Sequence, residues 1–189
     1  MTVSPNSMPS VKCRGRMQTL EIPMTDSPYP DLPMNPPNLG LEFAFRIRLS
    51  LGIRQKIGEI PSGGIRGFVS AAGGVVEGPM LQGRVVPNSG GDWALYRPDD
   101  TVQFKAHYML EASDGTQIYM RNAGYRHAPP DVAAKQEALV EVGFDEYYMR
   151  LAPTFDAPSG PHDWLTRHVI VGCGERHAEY TVFHYYVLR

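Results

Sequence analysis

The chain has only two cysteines among its 189 residues, Cys13 and Cys173, one in each terminal region. That scarcity excludes a disulfide-stapled scaffold and implies a reducing compartment with free thiols. No apolar run approaches the ~20 residues needed to cross a bilayer as a helix, so no membrane partner is expected. Neither sign of charge dominates: 18 Lys and Arg stand against 20 Asp and Glu, for a formal charge of −2. The basic residues are scattered, which removes the electrostatic footprint of a nucleic-acid binder. The opening Met1-Thr2-Val3-Ser4-Pro5-Asn6-Ser7 lacks a basic segment followed by an apolar one. The expectation is a cytoplasmic protein without a secretion signal.

Several chemistries are missing as well. There is no G-x-S-x-G nucleophile elbow, no phosphate-cradling G-x-x-x-x-G-K-[ST] loop and no G-x-G-x-x-G after a strand. The six histidines never form an H-x-H pair that would put two imidazoles on one strand face. No metal and no organic cofactor is therefore expected.

Glycine and proline, by contrast, are abundant, at 19 and 17 residues. Both break helix interiors, which rules out a helical bundle. With 42% hydrophobic and 10% aromatic residues, a packed core is still available. A turn-rich, mainly β domain follows. The prolines are concentrated early: Pro23, Pro28, Pro30, Pro33, Pro36 and Pro37 mark residues 1–38 as an extended Pro-rich N-terminal arm. Residues 39–189 form the β domain.

That domain opens with strict alternation: Leu41, Phe43, Phe45, Ile47, Leu49 and Leu51 share one face of a strand whose other face is polar. Further strands are predicted at 64–70, 73–77, 81–87, 92–96, 102–112, 117–122, 146–153, 168–173 and 179–188. Turn chemistry at Pro61-Ser62-Gly63-Gly64, Asn88-Ser89-Gly90-Gly91 and Ser113-Asp114-Gly115 separates them. One helix is expected over 132–142, between Pro129-Pro130 and Gly143. About ten short strands and one helix argue for a closed antiparallel β-barrel, because closure removes exposed edges; a sandwich is the alternative.

Strand parity suggests where chemistry could sit. Over 102–112, Lys105 and His107 share a face with Gln103, Met109 and Glu111, opposite Phe104, Ala106, Tyr108 and Leu110. If the polar face points inward, His107 is an acid/base near neutral pH and Lys105 stabilises an enolate. If it points outward, it is a solvated surface. Tyr119 with Arg121, and Tyr148 with Arg150, pose the same choice. Facing a cavity, such pairs would hold a carboxylate or a polarised carbonyl.

One ordered series of motifs runs through the β domain: Gly73-Gly74-Val75-Val76-Glu77-Gly78-Pro79, Gly90-Gly91-Asp92-Trp93, Arg97-Pro98-Asp99, Tyr147-Tyr148-Met149-Arg150, Phe155-Asp156, Trp164-Leu165 and Val171-Gly172-Cys173-Gly174-Glu175-Arg176. In these motifs the chain resembles domain-of-unknown-function family 3237 over about residues 39–189. The resemblance implies a closed antiparallel β-barrel of the allene oxide cyclase-like, calycin-like kind that self-associates, a dimer being favoured. It assigns no reaction. The family pattern commonly has an acid and then an arginine where this chain has Lys105 and His107.

The combined expectation is a cofactor-independent isomerase or cyclase acting on a small hydrophobic metabolite of secondary metabolism, bound inside the barrel. His107 is the expected acid/base, Lys105 and Arg121 the oxyanion stabilisers, and Tyr148 and Arg150 the orienting groups. Trp93, Asp92, Glu77, Tyr119, Trp164 and Phe155 are the expected substrate-binding residues. A non-catalytic carrier of hydrophobic small molecules, and a lyase or hydrolase of activated substrates, are the alternatives.

Overall fold

A computed structural model describes residues 38–138 and 140–189. The proline-rich arm predicted over residues 1–38 lies outside the described residues, apart from Asn38. The elements in chain order are β1 (Leu41–Glu59), β2 (Ile65–Glu77), β3 (Gly83–Val85), β4 (Gly91–Asp92), β5 (Leu95–Tyr96), β6 (Val102–Ala112) and β7 (Gln117–His127). After them come α1 (Pro130–Glu137), β8 (Tyr148–Asp156), a 3-10 turn (Asp163–Thr166), β9 (Ile170–Arg176) and β10 (Tyr180–Leu188).

Every strand pairing is antiparallel, and the order β1-β10-β9-β8-β7-β6-β3-β2 returns to its start because β2 also pairs with β1. β3, β4 and β5 all lie between β2 and β6. Val85 pairs Leu110, Gly91 pairs His107 and Tyr96 pairs Val102, so residues 83–96 act as one interrupted strand. The sheet thus closes into a ring of eight strand positions, a circumference that leaves room inside for side chains or one small ligand.

Closure explains where the predicted segments change. The two candidates at 64–70 and 73–77 merge into β2, and the first strand runs on to Glu59, because each is the other's partner along most of its length. The helix ends at Glu137, short of the expected Val142. Only Val132 and Gln136 on it are buried, and Val140 is exposed, so no apolar stripe extends it.

The alternation at the start of β1 is also interrupted. A register shift between Phe43 and Phe45 turns Leu41 and Phe43 outward, whereas Phe45, Ile47 and Leu49 stay buried. A bulge adds one residue, and period two makes one residue enough to exchange the faces.

One end of the interior is solidly filled. Phe45, Leu110, Ile118, Met120, Phe155 and Val187 pack there with Leu165 of the 3-10 turn. Toward the other end, beside α1, the packing opens into a cavity. Among the described residues no helix is long and apolar enough to cross a membrane.

Candidate active site

The cavity has a volume of about 170 Å³. Its walls are largely apolar, with Leu49, Val69, Phe104, Met149 and Phe183 among them. Among the polar side chains that interrupt those walls are Asp92, Tyr108, Asn122, Arg126 and Arg176.

Asp92 reaches the interior because of the two glycines before it. A β-carbon at Gly90 would overlap the His107 carbonyl oxygen, and one at Gly91 would overlap the Val69 carbonyl oxygen. Only bare backbone fits between β2 and β6 at this level. Asp92 pairs with Ala106, and Ala106 pairs with Asn122, so three neighbouring strands present inward residues side by side. Gly90→Ala is expected to expel β4 from its slot and destabilise the protein by several kcal/mol, on the order of a severe backbone conflict. A melting temperature within a degree or two of wild type would contradict that placement.

The Asp92 Oδ1 accepts a 2.9 Å hydrogen bond from the Lys105 backbone N–H. Burial pushes its carboxyl up from 3.8 to about 6, against the opposing pull of that N–H and of the Arg126 and Arg66 charges. A carboxylate poised close to neutrality is the protonation behaviour a general base needs.

Next to it lies a buried polar trio. Asn122 Nδ2 donates to the Tyr185 hydroxyl at 3.0 Å. The Tyr108 hydroxyl and Asn122 Oδ1 are left without a partner of hydrogen-bonding geometry. Burial holds the Tyr108 phenol well above its ordinary value, so it stays a donor. An unpaired buried donor costs free energy unless a ligand or water completes it.

Arg126 and Arg176 occupy the α1 end. Arg126 Nη1 donates to Gln136 Oε1 at 3.1 Å, and Arg176 Nη1 donates to the Gln136 carbonyl at 3.2 Å. The Arg176 backbone N–H donates to the Tyr147 hydroxyl at 2.8 Å. Burial lowers both guanidinium pKa values; the next contribution is the Arg176 charge for Arg126 and the Arg54 charge for Arg176.

Of the residues singled out in the sequence, the structure brings only Asp92 into this cavity. Lys105 and His107 are exposed on the outer face of β6, while Phe104, Ala106 and Tyr108 are buried. The expectation that their face lines the interior is corrected: the ring closes over the aromatic and aliphatic side of the strand, as burial of apolar area requires. His107 Nδ1 instead lies 2.6 Å from the Tyr119 hydroxyl, also on the outside. Arg121 is held outside by a two-pronged pair with Asp156 at 2.7 and 2.9 Å. Tyr148 stacks on His127 with centroids 4.8 Å apart, and Arg150 lies over the Tyr148 ring on the same outer face.

Glu77 is paired with Arg46 on the surface at 2.8 Å. Trp93 is exposed and leans on Phe68, the rings tilted by 38° with centroids 4.4 Å apart. Trp164 and Phe155 belong to the filled end of the core, where Phe155 meets Phe45 edge to face at 6.2 Å. None of these side chains borders the cavity.

A second concavity, about 570 Å³, lies on the outer face and includes Tyr125, Tyr148, Arg150, Cys173 and Tyr186. It is the larger of the two, yet its thiol is pushed up by burial and its Arg150 Nη1 is taken by the Met149 carbonyl. The smaller interior cavity holds the titratable group shifted toward neutrality. Among the described residues no group of three or more His, Cys, Asp or Glu side chains is placed to hold a metal ion.

Sequence reasoning missed Arg126 and Arg176 because the strands containing them were ended too early, at Asn122 and Cys173. The inward parity of Ile118, Met120 and Asn122 continues to Arg126, and that of Ile170, Gly172 and Gly174 continues to Arg176. Carrying period two four residues past Asn122 would have found the first.

Residues 39–188 match the family model described as "Protein of unknown function (DUF3237)". A "UPF0311 protein" of Rhodopseudomonas palustris strain TIE-1 is 32% identical over 146 residues, covering 77% of this chain and 94% of that protein. The crystal structure of a conserved protein of unknown function from Rhodopseudomonas palustris superposes with a TM-score of 0.77 at 29% identity, over 82% of this chain and all of that one. A structure described as a beta-barrel like protein, from Acinetobacter baumannii AYE, superposes with a TM-score of 0.71 at 28% identity, over 83% of this chain and all of that one. The chain therefore belongs to the DUF3237 family of proteins of unknown function.

Proposed function

We propose that the ring is a closed barrel of the allene oxide cyclase-like kind and that its cavity catalyses a cofactor-independent isomerisation or ring closure of a small, largely apolar metabolite. The observation that supports this most directly is Asp92, a cavity-lining carboxylate pushed up to about 6. At pH 7 it is mostly ionised and able to take a proton, and its conjugate acid is strong enough to return one. A reaction that removes a proton from one atom and replaces it on another balances with no oxidant, reductant or co-substrate. The unpartnered Tyr108 hydroxyl is the donor for the oxyanion that develops between the two transfers. The apolar walls exclude water and hold the substrate near its reactive shape. This acid/base role replaces the one expected of His107, whose ring is outside the ring of strands.

Proton transfer of this kind leaves an isotopic trace. Incubating the protein in D2O with a small-molecule extract of its producing cells is expected to place non-exchangeable deuterium in at least one metabolite, read by mass spectrometry. Uptake indistinguishable from a protein-free control would refute an isomerase or cyclase. Ligand that co-purifies unchanged and undeuterated would favour a carrier.

A further inference from the structure

The charges around the cavity do not balance. Its lining includes three arginines, Arg54, Arg126 and Arg176, but only one carboxylate, Asp92. Among the described residues, no carboxylate forms a salt bridge with Arg126 or Arg176. The hydrogen-bond acceptors they do have, the side chain and carbonyl of Gln136, are neutral. Glu137, the next residue along α1, acts on both through its charge alone, with no hydrogen bond to either.

Two half-buried guanidiniums facing one space repel each other and lose hydration, an arrangement that is costly unless an anion completes it. Guanidinium forks match a carboxylate in plane and spacing. Their position is also informative. Arg126 stands four residues along β7 from Asn122, roughly 13 Å at the rise of an antiparallel strand. Asn122 is level with Asp92. An anion at the arginines would leave the apolar stretch of the cavity between itself and the reacting atoms.

We propose that the substrate is a carboxylate whose anionic end is held by Arg126 and Arg176 at the α1 end of the cavity, its apolar body extending toward Asp92. This rests on the cavity being the reaction site, and it names the chemical class that site takes. The arginine contacts act at a distance from the chemistry, so their binding free energy positions the substrate without touching the bonds that change.

Octanoate and octan-1-ol, equal in chain length and different in charge, test the proposal by titration into the full-length protein with calorimetric or NMR detection. Octanoate is expected to bind at least about tenfold more tightly than octanol. Arg126→Gln and Arg176→Gln are each expected to weaken octanoate roughly 10- to 100-fold, the loss of one charge-assisted hydrogen bond, and to leave octanol unchanged. Equal affinity for the two probes, or no octanoate binding at millimolar concentration, overturns the proposal on wild-type protein alone. So does octanoate affinity that is indifferent to both substitutions in folded variants. Failure of the proton-transfer reading would look different: the Asp92 carboxyl would titrate near its ordinary value by carbon-13 NMR, while arginine-dependent octanoate binding persisted.

Discussion

Asp92→Asn is expected to abolish deuterium transfer and, at neutral pH and above, to make the protein more stable. The two effects share one cause. Asn retains an oxygen to accept the Lys105 N–H but carries no charge into the cavity, so it takes no proton and avoids the larger cost of desolvating a charge on folding. Loss of a positioned general base lowers turnover by about 10²–10⁴-fold.

The stability effect has a definite sign. The Asp92 carboxyl is raised in the folded protein, from 3.8 to about 6. Its contribution to stability is therefore intact below pH 3.8, is lost as pH climbs through the window up to about 6, and stays lost above it. Because Asp92 is only partly buried, the deficit is discounted to on the order of 2 kcal/mol. Urea unfolding of wild type and variant should coincide near pH 3.5 and separate progressively toward pH 7. Parallel curves at all pH values would show that Asp92 ionises as it does in water, and the acid/base assignment would fail with it.

Phe45→Ala carries the largest expected cost in the filled half of the ring. Phe45 is fully buried, its ring 4.9 Å from that of Tyr185 and 6.2 Å from that of Phe155. Truncation removes an aromatic body where neighbouring strands cannot collapse inward without breaking their ladders. About 3–5 kcal/mol is expected, transfer and cavity contributions together. In a domain of this size that lowers the melting temperature by roughly 10 °C. The measurement is thermal unfolding by circular dichroism. A loss below about 1 kcal/mol would mean that this end of the ring is not packed.

The two substitutions probe opposite ends of one interior, and those ends were unequally legible in the sequence. The filled end follows largely from alternation: Phe45, Ile47, Leu110, Ile118 and Met120 each sit on the apolar face of a period-two segment, whereas Phe155 joins it because β8 runs past the predicted end at Pro153. The hairpin at Ser113-Asp114-Gly115 follows from turn chemistry, and β6 is observed over the predicted 102–112. The open end did not follow so simply. Its arginines lie on the last inward positions of β7 and β9, past the predicted strand ends at Asn122 and Cys173. Asp92 sits in a two-residue strand whose place depends on partners far along the chain.

The same contrast separates the clustered surface charges from the site. Arg121, Arg150, His107 and Lys105 looked chemical because strand parity put each on a polar face rich in donors that a cavity could use. On the outer face, Arg121 is paired with Asp156 and the His107 ring contacts Tyr119, so their proximity is that of a solvated surface.

What the sequence determined by itself is local: a mainly β chain, its turns, the two faces of each strand and its membership of a family. Alternation divides residues into two sets but does not say which set a closed sheet encloses, and one bulge in β1 is enough to exchange them. That choice belongs to the tertiary structure, which selects the side burying more apolar area. The cavity chemistry is also tertiary. A raised carboxyl and two mutually repelling guanidiniums exist only once closure has removed their water, bringing Asp92, Arg126 and Arg176 from three distant segments to one space.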